Sequence, residues 1–265
     1  MFQLIYAYVT APRADSTAFR AYETRMRGFI ENRSARPETA FGDTVQVTVA
    51  QYHHRARPWS LDLIAEMDLH RSMAVYQDRF SDMGDFTFYF VGNFTLEQLE
   101  PLARTYLGAL AATQRRESWK DVGETTPRGV IEKTVRRGIE PKSRTLLAFT
   151  GPYEFDGWRN DFELDAMAEV LQIKLREVLR EDLGGAYGVS VNGGGSHFPK
   201  PKYAVSMSFG CDPDRVEELT TVVFSQIDSL KSSGPGLEYV HKVQEGAKRS
   251  HEVRLKENSY WRGYL

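Results

Sequence analysis

Two side chains that could bind a peptide flank the paired glycines of LREDLGGAYGVSV, residues 179–191. Arg180 lies where a long amphipathic pattern ends, and Tyr187 opens a run that is typical of a β-strand. A guanidinium and a phenol both donate hydrogen bonds, and neither is acidic at neutral pH. If a tight turn brings them to one rim, the pair could hold a peptide carbonyl and stabilise the oxyanion that forms from it.

A purely structural interpretation explains the same residues. A cation in the last turn of a helix, such as Arg180, interacts favourably with the helix C-terminus by about 0.3–1 kcal/mol. One of the two glycines can adopt a positive φ and end the helix. Tyr187 shares a predicted strand face with Val189 and Val191, so its ring could simply pack. Residue chemistry alone leaves both interpretations open.

The histidines do not form a recognised zinc site. The inverted zinc-peptidase motif H-x-x-E-H does not occur in the chain. His241 and Glu245 lie one helical turn apart and could offer two ligands, but the sequence places no third ligand beside them. Cys211, the only cysteine, excludes an intramolecular disulfide and a cysteine-rich zinc site, and we interpret it as a packed thiol. We therefore predict no metal-binding residue in this chain.

Composition excludes several other classes of function. The chain has 34 basic and 36 acidic residues and a net charge of −2, which gives no basis for a nucleic-acid partner. No apolar run approaches the length of a transmembrane helix, and the N-terminal residues do not resemble a signal peptide. No glycine-rich nucleotide loop is present, and the three glycines at 193–195 are interpreted as a flexible hairpin connection.

The first part of the chain is predicted to be mostly helical. Apolar residues at helical spacing predict four helices, and an alternating aromatic run, DFTFYFVGNF, predicts one strand. Pro101 would kink the last of these helices. The predicted helices cover residues 16–33 with Ser16 as N-cap, 36–54, 60–80 with Ser60 as N-cap, and 95–110 with Thr95 as N-cap; the strand covers 85–94.

Polar residues at 111–128 indicate a linker, and a mixed pattern follows it. Two extended runs flank GIEPKS, residues 138–143, which predicts a hairpin. The remaining elements are a long helix over 160–182, strands over 186–193 and 202–210, a helix with Asp212 as N-cap and Pro213 at its first position, and a final helix from about Leu237.

The segment around Arg180 and Tyr187 resembles the R-E-x-x-G-x-A-Y-x-V motif in the C-terminal half of the pitrilysin/insulinase family of zinc metallopeptidases. Three further segments resemble the same family. They are LIYAYVTAPRADSTAFRAY, similar to the larger bacterial members; FTFYFVGNFTLEQLEPLARTYLGAL, similar to a segment that ends a domain; and RGIEPKSRTLLAFTGP, similar to the start of the next domain. The order and spacing of these segments extend the resemblance over nearly the whole chain.

The resemblance implies an α+β fold with two α/β-roll domains, each a mostly antiparallel sheet packed against helices. Residues 1–114 would be a partial, mostly helical third domain of the family, 115–128 a linker, and 129–265 the fourth domain. Both ends look truncated, since the chain opens on an apolar run without a cap and closes within a helical pattern.

For function, the resemblance implies the C-terminal, substrate-binding half of a zinc metalloendopeptidase that hydrolyses peptides or unfolded polypeptides. Arg180 would hold a backbone carbonyl of the substrate, and Tyr187 would also bind substrate and stabilise the oxyanion during catalysis. Zinc would lie in the N-terminal half of the same polypeptide, which would be the partner of this chain, and the chain alone would be inactive. The family's larger bacterial members imply a periplasmic location.

Two alternatives remain at this stage. The chain could be a non-catalytic structural or assembly subunit of the same fold, although such a subunit has no need to keep both Arg180 and Tyr187. It could also be a free-standing metal-dependent hydrolase that uses His241 and Glu245, which would require a third ligand from elsewhere in the chain.

Overall fold

The computed structural model describes residues 1–264, which cluster into two compact units. Residues 124–138, where the chain passes between the units, have no regular secondary structure. The division into domains at residues 115–128 remains a prediction. Among the described residues, the first unit comprises 1–124, 133–137 and 255–264, and the second comprises 125–132 and 138–254.

Helices form the regular structure of the first unit, as the spacing of apolar residues predicted. The helix predicted over 16–33 is found at nearly the expected position, whereas the helix predicted over 36–54 ends five residues early, at Val49. The α-helices are α1 Phe2–Thr10, α2 Ser16–Ser34, α3 Pro37–Val49, α4 Leu61–Ala65, α5 Leu69–Phe80 and α6 Leu96–Leu102, with α10 at Asn258–Tyr264; a short 3₁₀ turn lies at His54–Ala56 and a π turn at Ala103–Leu107.

The N-terminus of α2 differs from the prediction by one residue. Asp15, rather than Ser16, is the N-cap, and its carboxylate accepts hydrogen bonds from the amides of Thr17 and Ala18. The hydrogen bond from the amide of Ala18, followed by that from Thr17, lowers the pKa of Asp15 below its usual value.

The helix predicted over 60–80 is two helices. Ser60 caps α4 as expected, by accepting from the amide of Leu63, and Asp68 then caps α5 by accepting from the amide of Arg71. Thr95 caps α6 in a reciprocal pair with Gln98, which confirms that prediction. Pro101 lies inside α6, and the helix continues into the π turn.

The strand predicted over 85–94 is wrong, because no strand is assigned to these residues. Their aromatic rings pack instead: Phe90 stacks on Phe2 with ring centroids 5.1 Å apart, and Phe86 lies 5.7 Å from Phe80. Alternation shows how side chains are distributed along an extended run, but a strand also needs a hydrogen-bonded neighbour. Within residues 1–264, no strand pairs with this run.

A three-stranded antiparallel sheet and three long helices build the second unit. The strand order is β1-β3-β2, so β3 is central and β2 is an edge strand. Together with the helices, this sheet confirms the predicted α+β class. The elements are β1 Ser143–Pro152, α7 Trp158–Arg176 with a π turn at Glu177–Asp182, β2 Ala186–Ser196, β3 Lys202–Cys211, a 3₁₀ turn at Pro213–Arg215 capped by Asp212, α8 Val216–Ser233 and α9 Leu237–Arg254.

The core of this unit lies between α7, α8 and one face of the sheet. Alternate residues of β3 point into it, as period two requires. Its buried members are Leu171, Leu175, Leu179, Ala186, Val205, Met207, Phe209, Cys211, Leu219 and Val223. Cys211 is fully buried, which confirms that it is a packed thiol.

Two local predictions in the second unit are wrong. No hairpin forms around 138–143, because β1 pairs with β3, from Ser143 opposite Cys211 to Pro152 opposite Lys202, and residues 129–137 form no strand. The glycines at 193–195 are not a flexible connection but part of β2, paired with β3. A Cβ on Gly193 would lie 2.9 Å from that of Ala168, so this glycine allows α7 to approach the sheet closely.

None of the helices in residues 1–264 combines the length and the hydropathy that crossing a membrane requires.

Candidate functional site

The glycine pair ends the long helix, as predicted. Gly184 adopts φ +55°, a left-handed conformation that favours glycine, and the amide of Gly185 donates to the carbonyl of Leu179 at 2.9 Å. The amide of Leu183 donates to the carbonyl of Val178 at 3.1 Å. These bonds fix the backbone on which Arg180 lies.

The last turn before the glycines, Glu177–Asp182, is a π turn. Leu179 remains fully buried in it, whereas the neighbouring Arg180 is exposed. Within residues 1–264, Arg180 makes no hydrogen bond or ion pair, so its donors face solvent. Turns of this kind occur frequently at functional sites, and no pattern in the sequence distinguished this one from an ordinary α-helical turn.

Tyr187 lies at a β-bulge. Ala186 pairs with Cys211 and Gly188 pairs with Gly210, so Tyr187 has no partner residue on β3. Its side chain is 68% exposed, whereas Ala186 is 6% exposed. A bulge changes which face of the sheet each later residue occupies, and such irregularities are common beside active sites.

The bulge contradicts the packed-ring interpretation of Tyr187. Val189 and Val191 pack against the core, and strict alternation from them would turn Tyr187 inward as well. The extra residue reverses that alternation, so Ala186 takes the buried position and the phenol points to solvent. This reversal is invisible in the sequence, because it depends on how β2 pairs with β3.

Gln172 on α7 connects the helix that precedes Arg180 to the strand that carries Tyr187. Its side-chain amide donates to the carbonyl of Val189 at 3.1 Å and accepts from the amide of Val191 at 2.6 Å. Sequence reasoning missed this residue. The available signal was a polar side chain beside the apolar stripe of a helix, which is too common to single out one glutamine.

Arg215 supports the same turn from the region before α8. Its guanidinium donates to the carbonyl of Leu183 at 3.3 Å and to both carboxylate oxygens of Glu218, at 2.9 and 2.7 Å. The hydrogen bond to Glu218 raises the pKa of Arg215, and the same contact lowers the pKa of Glu218. The turn carbonyl therefore has a permanently charged donor.

The start of the π turn is held by α9. The hydroxyl of Tyr239 donates to the carboxylate of Glu177 at 2.7 Å, and the ammonium of Lys174 lies 4.5 Å from the ring centre of Tyr239. The hydrogen bond to Glu177, followed by desolvation, raises the pKa of the Tyr239 phenol to about 12. The phenol therefore remains a donor throughout the physiological range of pH.

Arg180 and Tyr187 thus flank one supported turn, and both are exposed. The ring of Tyr187 does not pack into the core, and the guanidinium of Arg180 makes no hydrogen bond or ion pair within residues 1–264. Together they offer guanidinium and phenol donors to a carbonyl-rich ligand, which is the chemistry that suits an extended peptide.

The described residues, 1–264, offer no group of side chains that fits a zinc site. His241 and Glu245 both lie on α9, but among residues 1–264 no group of three or more histidine, cysteine, aspartate or glutamate side chains could hold a metal ion. A protein zinc site needs at least three such ligands. This gives the free-standing hydrolase hypothesis no support.

Comparison with protein families identifies the chain. The family model of the peptidase M16 inactive domain matches residues 72–246. The chain belongs to the peptidase M16 family. The predicted membership of the pitrilysin/insulinase group of zinc metallopeptidases is therefore confirmed.

Individual M16 relatives are longer than this chain. A probable zinc protease, PqqL, from Haemophilus influenzae is 30% identical over 166 residues, which cover 60% of this chain and 17% of the relative. A PQQL-like zinc protease from Arabidopsis thaliana is 26% identical over 258 residues, covering 89% of this chain and 26% of the relative. The chain thus spans about a quarter or less of these two proteins, and it is homologous to the inactive C-terminal domain of PqqL-like zinc proteases.

A solved structure shares the fold. The crystal structure of the periplasmic protease PqqL from Escherichia coli superposes with a TM-score of 0.83 at 22% identity, over 98% of this chain and 28% of that chain. The α+β architecture is therefore that of the M16 inactive domains.

Proposed function

We propose that this chain is the substrate-binding C-terminal half of a zinc-dependent endopeptidase that hydrolyses peptides or unfolded polypeptides. The zinc would be held by an N-terminal half of the same polypeptide, with an H-x-x-E-H motif, and this chain alone would not hydrolyse peptides. The similarity of the chain to a probable zinc protease of H. influenzae and a PQQL-like zinc protease of A. thaliana supports the proposal.

One observation carries the proposal at the level of residues. The bulge in β2 exposes Tyr187, and the nearby Arg180 is exposed and makes no hydrogen bond or ion pair within residues 1–264. Tyr187 is 68% exposed, although Val189 and Val191 on the same strand pack against the core. Placed against a bound peptide, the guanidinium of Arg180 would donate to a backbone carbonyl and orient the chain. The phenol of Tyr187 would donate to the oxyanion of the tetrahedral intermediate and stabilise it.

We also propose the domain division and the compartment that accompany this function. Residues 1–114 and 129–265 would be the third and fourth α/β-roll domains of the full-length polypeptide, the longer chain that contains both halves. A periplasmic location is supported by the E. coli relative, which is described as a periplasmic protease. Unfolded polypeptides in that compartment would be the substrates.

The role of Tyr187 is tested by the substitution Tyr187→Phe in the full-length polypeptide. Because one hydrogen bond to the oxyanion is lost and the ring is kept, we expect kcat to fall by about 10²–10³-fold. The zinc content should stay at the wild-type value, since Tyr187 is not a metal ligand in this scheme. Steady-state kinetics on an unfolded peptide and metal analysis measure the two quantities.

The matched control is Tyr203→Phe on β3, which removes a half-buried hydroxyl that has no hydrogen bond within residues 1–264. It should leave kcat unchanged. Normal turnover by Tyr187→Phe would reject the role assigned to the phenol. A full-length polypeptide without any zinc motif would instead favour a non-catalytic assembly subunit of the same fold.

A further inference from the structure

We propose that Gln172 is a positioning residue that sets the geometry of Arg180 and Tyr187 by joining α7 to β2. The inference rests on the proposed function and deepens it by naming a residue that acts through the two substrate-binding side chains. Gln172 itself is half-buried and lies on α7 before the π turn, whereas Arg180 and Tyr187 are exposed.

The amide of Gln172 replaces part of a neighbouring strand. Antiparallel strands exchange an N–H and a C=O with each neighbour, and β2, as an edge strand, has β3 on one side only. On its other side, the carbonyl of Val189 and the amide of Val191 bond to Gln172, at 3.1 and 2.6 Å. β2 is therefore held from both sides directly after the bulge.

These hydrogen bonds are important because the bulge could move by one residue and so change the pairing of β2 with β3. A slip of one residue moves every side chain of a strand to the opposite face. Such a slip between Ala186 and Gly188 would bury Tyr187 and expose Ala186. The two hydrogen bonds to Gln172 fix Val189 and Val191, so the extra residue stays at Tyr187 and the phenol stays outside.

The same side chain fixes the helix. α7 runs directly into the π turn that carries Arg180, and Leu175 and Leu179, between Gln172 and Arg180, are fully buried. A rotation of the helix that moved Arg180 would therefore also move Gln172. One amide thus relates the position of the guanidinium to that of the phenol, which is the geometry a bound peptide requires.

The test is a double-mutant cycle in the full-length polypeptide with Gln172→Met and Tyr187→Phe. Methionine keeps the volume of the side chain and removes both hydrogen bonds. We expect Gln172→Met alone to lower kcat by about 10-fold to 100-fold, since small displacements of catalytic groups have effects of this size. In the Tyr187→Phe background, the same substitution should lower kcat by a clearly smaller factor, because only the placement of Arg180 remains to be disturbed.

A residue with only a structural role would lower kcat equally in both backgrounds, and that result would overturn the inference. If kcat is normal in Tyr187→Phe alone, the proposed function fails and the inference fails with it. If Tyr187→Phe is impaired but Gln172→Met is not, only the inference fails. All values of kcat are normalised to the folded fraction measured by circular dichroism.

A second measurement keeps the result interpretable if Gln172→Met is poorly stable. Amide hydrogen exchange should rise in peptides covering Val189 and Val191 and stay unchanged in β1. Unchanged exchange in β2 would overturn the inference, because the hydrogen bonds would then not hold the strand. Gln226→Met on α8 is the matched control, since Gln226 is half-buried and makes no hydrogen bond within residues 1–264.

Discussion

At the scale of single residues, the sequence could identify Arg180 and Tyr187 as candidate binding residues, but it could not predict their exposure or the residues that surround them. Arg180 and Tyr187 belong to a local motif of fixed spacing, so a resemblance could identify them. The exposure of Tyr187 depends on a bulge in β2. The hydrogen bonds of Gln172 depend on how α7 packs beside the same strand. Such relations are set by tertiary packing, which local patterns do not contain.

Asp82 in the first unit illustrates the same limit and gives a prediction. Its buried carboxylate accepts hydrogen bonds from the hydroxyl and amide of Thr113 and from the amides of Arg115 and Gly84. The Thr113 hydroxyl, followed by these amides, holds the pKa of Asp82 well below its usual range. The charged carboxylate of Asp82 is therefore more stable in the folded unit than in the unfolded chain.

The stabilisation by Asp82 should consequently depend on pH. Because the folded pKa is depressed, the contribution is fully present above the unfolded value of about 4 and is lost as the pH falls towards the folded value. Thermal unfolding from pH 7 to pH 3 should show Asp82→Asn less stable than wild type, with the difference constant above about pH 5 and shrinking below about pH 4.

Asp62→Asn is the control for this measurement, because Asp62 is exposed on α4. It should have little effect on the unfolding temperature across the range. A difference between Asp82→Asn and wild type that stays constant down to pH 3 would show that the carboxylate charge does not support the folded unit.

At the scale of elements, helices could be predicted and the pairing of strands could not. The amphipathic spacing and the caps at Ser60, Thr95 and Asp212 are local, and all three caps are present in the structure. The predictions of a hairpin around 138–143 and of a strand over 85–94 were both wrong. Each required a hydrogen-bonded partner strand, which the local sequence pattern does not identify. Periodicity indicates an extended run, whereas its neighbour is set by the sheet order.

The glycines of β2 give a prediction at this scale. A Cβ on Gly195 would meet the ring of Tyr153 and lie 2.5 Å from a carboxylate oxygen of Asp161, and Tyr153 and Asp161 are themselves joined by a hydrogen bond of 2.7 Å. A Cβ on Gly194 would meet nothing within 4 Å. We expect Gly195→Ala to be less stable than Gly194→Ala by about 1–3 kcal/mol in urea unfolding.

Gly194→Ala is a matched control, because the loss of unfolded-state freedom on replacing glycine is the same at both positions. The comparison therefore isolates the packing of β2 against Tyr153 and Asp161. Equal stabilities would mean that the ring and carboxylate move aside without cost, and that the glycine at 195 serves another purpose.

At the scale of the whole molecule, residues 1–264 form two compact units, and we propose that the chain contributes substrate binding rather than zinc to a longer polypeptide. The M16 relatives contain far more polypeptide than this chain supplies. Resemblance along the sequence could predict membership of the M16 family, because the order of several loose motifs is informative even when each is weak. The metal, by contrast, has no counterpart among the ligand groups of residues 1–264.

We therefore expect the removal of zinc to affect the full-length polypeptide but not the isolated chain. A chelator should abolish peptide hydrolysis by the full-length polypeptide, because activity in this scheme requires the metal in the other half. The same chelator should leave the thermal unfolding of the isolated chain unchanged, since metal binding stabilises a fold only where ligands hold the ion. A chelator-induced fall in the unfolding temperature of the isolated chain would contradict the assignment of zinc to the other half and would direct attention to His241 and Glu245 on α9.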